Sequence, residues 1–194
     1  MATYSSSNKR QRHDGEIRRP SSNSTMQRRL QLIDIPDALL VRSAEYLSNT
    51  SCVSFAMSLA PLNINMMYQH PSDTSTAIVN ASRENWDNID LKDIQDICGR
   101  SLNDDDVSWI LLCIDAVNNV KSLKLTNCIG IAGAGLEPLR GSAVLEQIDL
   151  SLVGRNEKPD IEPRPSISES VVIPILDSII DADGCSLKYI SCFQ

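Results

Sequence analysis

The sequence predicts an α/β chain: short parallel strands stacked beside helices, preceded by an all-helical region and a tail that does not fold. Three observations predict it. A hydrophobic pattern long enough for one strand and one helix recurs in the C-terminal part, amphipathic segments at helical spacing fill the middle, and residues 1–31 hold almost no aliphatic side chains. Composition agrees. Hydrophobic residues make up 42% but aromatics only 4%, so the core must be built from Leu, Ile, Val, Ala, Cys and Met. That argues against an antibody-like sandwich or a β-barrel, which draw on Trp, Tyr and Phe.

Residues 1–31 are Ser, Asn, Arg and Gln, too polar to offset their ordering entropy, and are expected to be a disordered basic tail. Within them Lys9, Arg10 and Arg12 read as a short nuclear-import signal, although a basic arm without an address satisfies the same residues. The net charge of −7 divides unevenly. Seven cations against Asp14 and Glu16 give residues 1–30 a charge of +5, so residues 31–194 carry −12. An acidic body argues against nucleic-acid binding by the folded part. No apolar run is long enough for a spanning helix, and none follows the N-terminal charges as in a signal peptide. No membrane partner is therefore expected, and the location is cytoplasmic and/or nuclear. There Cys52, Cys98, Cys113, Cys128, Cys185 and Cys192 are thiols. Without a Cys-x-x-Cys pair, and with only His13 and His70, no metal site assembles from standard spacings, and no cofactor is expected.

Residues 32–71 form the first folded region. Pro36 and Asp37 suit the start of a helix, and Leu39, Leu40, Ser43, Tyr46 and Leu47 follow at helical spacing. A polar break at Ser48-Asn49-Thr50 leads to a second helix, Ser51 to Leu59, carrying Val53, Phe55, Ala56 and Leu59. Residues 72–117 read as helices only. Ser72 caps the first, which runs to about Asn85; Leu91 to Ser101 make the second; Asn103 caps the third, with Asp104, Asp105 and Asp106 in its first turn. Acids at a helix N-terminus account for that triplet without a metal.

Residues 118–194 hold the repeat. Val120-x-x-Leu123-x-Leu125-x-x-Cys128 continues to Ile131, Gly135, Leu136 and Leu139. A second copy reads Leu145-x-x-Ile148-x-Leu150-x-x-Val153, and a partial third reads Leu187-x-x-Ile190-x-Cys192. Pro138 and Pro174 occupy the same point of the two connecting helices. The interval between the second and third copies is lengthened by a Pro-rich, charged loop insertion over 154–168. The pattern resembles the cysteine-containing leucine-rich repeat. Its implied fold is a short solenoid of parallel strands with helices, capped by the helices of 72–117.

The helical pair of 32–71, with Ile35, Pro36, Asp37, Leu39, Leu40, Tyr46, Leu47, Val53, Phe55 and Leu59 in place, resembles an F-box, although Ser43 stands where an aliphatic is usual and the third-helix Trp is absent. Taken together, residues 33–194 resemble the F-box leucine-rich-repeat proteins. The resemblance implies a non-catalytic substrate receptor of a Skp–cullin–F-box ubiquitin ligase. Its partners would be a Skp-family adaptor with its cullin ligase and a protein substrate. Pro36, Leu39, Leu40, Tyr46 and Leu47 would contact the adaptor. The substrate would meet outward strand positions on a concave face: Lys121, Lys124, Glu146, Asp149, Lys188 and Tyr189. An alternative is a leucine-rich-repeat scaffold or binding module without a role in ubiquitin transfer. More remote is a nucleotide-cofactor enzyme using the glycine run Gly130–Gly135, whose spacing is Gly-x-x-Gly-x-Gly rather than Gly-x-Gly-x-x-Gly. Cys128 is expected to line the interior, since no histidine lies near it in the repeats.

Overall fold

A computed structural model describes residues 35–59, 71–82, 84–152 and 167–192. The architecture is α/β. Helices α1 (Asp37–Ala44), α2 (Asn49–Leu59) and α3 (Asp73–Asn80) come first, and strand β1 (Asn88–Asp90) then runs straight into α4 (Leu91–Cys98). Next are α5 (Asp104–Cys113), the short α6 (Ala116–Asn119) and β2 (Ser122–Lys124). A 3-10 helix (Ala134–Leu139) joins β2 to β3 (Gln147–Asp149), and α7 (Glu169–Ile180) precedes β4 (Tyr189–Ser191).

Local chemistry sets the helix limits. Pro36 is the N-cap of α1, and its carbonyl accepts from the Leu39 and Leu40 amides. The helix ends at Ala44, so Tyr46 and Leu47 lie in the turn beyond it, their amides bonded to the Ser43 and Ala44 carbonyls. Ser72 caps α3 through the Ser75 amide, but α3 stops at Asn80, short of the expected Asn85. Asp90 caps α4 by accepting from the Lys92 amide, and Gly99, at φ 65°, closes the helix in the left-handed region that favours glycine. Asn103 and Asp106 form a reciprocal capping box on α5.

The strands form one parallel sheet in the order β1-β2-β3-β4. Asn88, Ser122, Gln147 and Tyr189 are in register, as are Ile89, Leu123, Ile148 and Ile190, and Asp90, Lys124, Asp149 and Ser191. The three pattern copies thus fall side by side. The expectation of helices alone over 72–117 is corrected, because β1 lies within that stretch. Trp86-x-x-Ile89-x-Leu91 has the spacing of the later copies, with an aromatic in the first place and 34 residues before the next strand. All three are buried, like their counterparts at Val120, Leu123, Leu125 and Leu145, Ile148, Leu150.

The segments returning from one strand to the next are also tied to their neighbours. Asn103 bridges to Gly130, Ser168 donates its amide to the Ala132 carbonyl at 2.8 Å, and Ser186 donates to Ala143 at 3.1 Å. Ser142, fully buried, gives its hydroxyl to the Val117 carbonyl at 2.8 Å. Each strand-and-return unit is therefore held on the side away from the sheet as well as along it.

One core runs from Leu40 to Ile179 without a break, and residues 31–194 make one compact unit. Helix α1 packs on α3, and α2 packs on α3 and α4. The boundaries expected at 71/72 and 117/118 mark changes of element that this core crosses. The basic tail of 1–31, most of the segment between α2 and α3, and residues 154–166 of the expected insertion lie outside the described residues.

Candidate functional site

Helix α1 sorts its apolar side chains by direction. Leu40 and Ala44, one turn apart, are buried against α3, with Cys52, Val53 and Ala56 of α2 beside them. Leu39 is 56% exposed and Tyr46 77%, and Ile35, Pro36 and Leu47 are exposed as well. Of the five expected adaptor contacts, four face solvent. Leu40 does not: at 5% exposure it is a core residue, a correction that follows from its place one turn before Ala44. Ile35 joins the outward group in its stead. Ser43, at the position where an aliphatic was expected, sits exposed and donates its hydroxyl to the Leu39 carbonyl at 2.8 Å, so it has no core position to fill.

The hairpin is fastened to the sheet at the start of α2. The Asn49 amide donates to Glu84 Oε2 and its side-chain Nδ2 to the Asn85 carbonyl, both at 3.0 Å, and Glu84 and Asn85 lead directly into Trp86 and β1. Thr74 Oγ1 donates to Asp37 Oδ2 at 2.8 Å, joining α3 to the first turn of α1.

The six residues expected on a concave face fall into two groups. Lys121, Glu146 and Lys188 each stand one residue ahead of a strand, in a row completed by Asp87. Lys121 pairs with Asp87 at 3.0 Å and Lys188 with Glu146 at 2.7 Å, so this row is largely neutralised from within. The hydrogen bond from Lys188 holds the Glu146 carboxyl below its ordinary range. Lys124 and Asp149 lie in the strands in direct register, alternating with the buried Leu123 and Ile148. No ion pair joins them; Asp149 Oδ1 accepts instead from the Ser151 amide at 3.0 Å. Tyr189, on the same face at the other edge, is 71% exposed. Asp87 was missed because its strand was missed.

The glycine run is occupied by the chain itself. Asp104, the first residue of α5, accepts from the amides of Ala132 (3.0 Å), Gly133 (2.9 Å) and Gly135 (2.9 Å). These are the donors that a phosphate would use in a glycine-rich loop. A Cβ on Gly135 would stand 2.5 Å from the Asp104 carbonyl oxygen, so glycine is required there for the close approach of loop and helix. The nucleotide reading of Gly130–Gly135 is corrected accordingly: the amides clamp a carboxylate of α5. Asp106, the third acid of the triplet, takes a two-pronged ion pair from Arg100 at 2.6 and 2.7 Å. Among the described residues no three His, Cys, Asp or Glu side chains are grouped as metal ligands.

Burial pushes the Cys113 and Cys128 thiols up to about 12, with Asp90 and Asp96 adding to the effect at Cys128. Neither is a nucleophile near neutral pH. Cys128 lines the interior, as its place in the pattern predicts.

No protein-family model matches the chain, and neither a curated protein nor a solved structure is significantly similar to it. Among the described residues, no helix is long and apolar enough to cross a membrane.

Proposed function

We propose that the chain is a non-catalytic substrate receptor of a Skp–cullin–F-box ubiquitin ligase. In this reading the α1–α2 hairpin docks on the Skp-family adaptor, and the stacked strand-and-return units form a short leucine-rich-repeat solenoid that holds the protein to be modified. The receptor performs no chemistry; it raises the local concentration of its target by tethering it. The basic run at Lys9, Arg10 and Arg12 would carry the complex into the nucleus.

One observation carries the docking assignment. The hairpin keeps Ile35, Leu39, Tyr46 and Leu47 outside while an independent set, Leu40, Ala44, Cys52, Val53 and Ala56, fills the core. A helical pair used only as a lid needs the second set and gains nothing from the first. Apolar anchors at helical spacing are what a groove on a partner takes up. In support of the solenoid, the sequence copies at Leu123, Ile148 and Ile190 lie in register, and Ile89 extends them.

The test is a pull-down of the host's Skp-family adaptor, comparing wild type with Leu39→Ala/Tyr46→Ala. Both side chains are exposed, so the double variant should keep the wild-type circular dichroism and melting temperature. Loss of two interface anchors at about 1–2 kcal/mol each should weaken adaptor binding roughly 30-fold or more. Adaptor retained equally by both proteins would overturn docking through Leu39 and Tyr46; adaptor retained by neither would leave a binding module with no role in ubiquitin transfer.

A further inference from the structure

The far end of the sheet carries a second surface. The middle residue of each strand is covered in turn: Ile89 is 5% exposed, Leu123 0% and Ile148 1%. At β4, the edge strand, the same position rises to 42% at Ile190. Helix α7 shows the same change. Val172, Ile175 and Ile179 face the core. The flank toward the 3-10 helix is engaged, since the Pro174 carbonyl accepts from Arg140 Nη1 at 3.0 Å and Ser178 Oγ accepts from the Gly141 amide at 3.1 Å. At about 100° per residue, Ile173, Leu176 and Ile180 fall on the opposite flank. Ile173 is 49% exposed and Ile180 53%. Among the described residues, Ile173 and Ile180 on α7 and Ile190 on the edge strand β4 are thus apolar side chains that the last strand-and-return unit leaves exposed.

Charge narrows what can cover them. Residues 167–187 contain no Lys, Arg or His but four acids, Glu169, Asp177, Asp181 and Asp183. The next cation, Lys188, is already held by Glu146. A second copy of the chain, meeting this face with its own, would set four carboxylates against four.

We propose that this end face binds an extended, basic segment of a partner protein. The segment adds to β4 as a fifth strand, lays apolar side chains on Ile173, Ile180 and Ile190, and places lysines or arginines against the acidic rim. Strand addition suits the site because an edge strand offers unpaired backbone groups for affinity, while alternate side chains read the adjoining surface. The site lies on α7 and β4, away from the adaptor patch, and stands without the receptor reading.

The experiment uses the full chain and two fluorescein-labelled peptides, Lys-Thr-Ile-Lys-Ile-Thr-Lys and its counterpart with every Lys replaced by Glu, followed by anisotropy. Saturable binding of the Lys peptide is expected, weakening with salt. Ile173→Ser/Ile180→Ser should reduce it about tenfold, and Asp181→Asn/Asp183→Asn should flatten its salt dependence. Both pairs are exposed, and unchanged circular dichroism will show that the fold is kept. Equal binding of the two peptides, or binding untouched by Ile173→Ser/Ile180→Ser, would overturn the proposal. So would a concentration-dependent dimer of the free chain that Ile180→Ser dissolves, which assigns the face to a second copy. The same variant should still capture the adaptor through the hairpin, so failure here leaves that assignment intact.

Discussion

Replacing Asp104 with alanine removes the acceptor of three backbone amides at once. The Ala132 amide belongs to an exposed residue and can turn to water, but Gly133 and Gly135 are buried. A buried amide left unpaired costs about 1–3 kcal/mol. Two in one loop relax together, so we expect a loss of about 3 kcal/mol for Asp104→Ala. Asp104→Asn keeps an acceptor oxygen and should lose only about 1 kcal/mol. Asp105 is the internal control. It shares the helix end and the charge but makes no side-chain hydrogen bond among the described residues, so Asp105→Ala should cost about 0.5 kcal/mol through the helix dipole alone. Urea unfolding followed by circular dichroism measures all three. With a slope of about 2 kcal/mol/M, the Asp104→Ala midpoint should fall by about 1.5 M. Equal losses at Asp104 and Asp105, or a loss below about 1 kcal/mol at Asp104, would refute the clamp.

Leu40→Ala should destabilise by about 2–4 kcal/mol, as truncation of a buried leucine does, while Leu39→Ala stays near zero in the same melt. Thiol labelling of the native chain at pH 8 should begin at the exposed Cys192 and reach Cys52, Cys113 and Cys128 only as the chain unfolds; Cys128 labelled in the native state would contradict its burial. Hydrogen bonds from Arg140 and Lys188 hold the Glu137 and Glu146 carboxyls below their ordinary value. The stability they add is complete above the unfolded glutamate pKa and is lost as pH falls through the lowered values. Glu137→Gln/Glu146→Gln should lower stability slightly at neutral pH, where that contribution is complete, and leave the acid end unchanged, so the acid limb becomes shallower, an effect that salt erases.

What the sequence made legible followed from period. Leu123, Ile148 and Ile190 could be aligned because aliphatic residues recur at the same offsets with a proline at one point of each return. The strand at Asn88–Asp90 escaped because Trp86 stands for leucine and its unit returns through three helices, so a helical reading absorbed it. On α1, spacing alone could not divide Leu39 from Leu40: both suit a helical stripe, and only packing on α3 decides which turns inward. The Asp104 clamp was equally beyond reach. Its donors lie 28–31 residues away in the chain, and an acid at a helix start already has a sufficient local reason to be there.

The hairpin and the sheet should unfold as one body, and the argument rests on where their surfaces meet. Cys52, Val53 and Ala56 of α2 are fully buried, and so are Ile78, Val79 and Ile94 in the helices α3 and α4 that α2 packs against. Asn49 adds two hydrogen bonds to the residues that begin the β1 unit. Neither part can open without uncovering the other's apolar face. The two tryptophans, Trp86 and Trp109, lie in the β1 unit and report on it by fluorescence, while protection of the Cys52 thiol reports on the hairpin. The two urea midpoints should coincide, as a two-state chain requires. A hairpin ligand would then stabilise the whole body by about 2.7 kcal/mol at a hundred times its Kd, and, if the proposed docking holds, saturating adaptor should raise the tryptophan midpoint from a distance. Separate midpoints, or an adaptor that moves only the Cys52 transition, would show the hairpin to be a detachable arm.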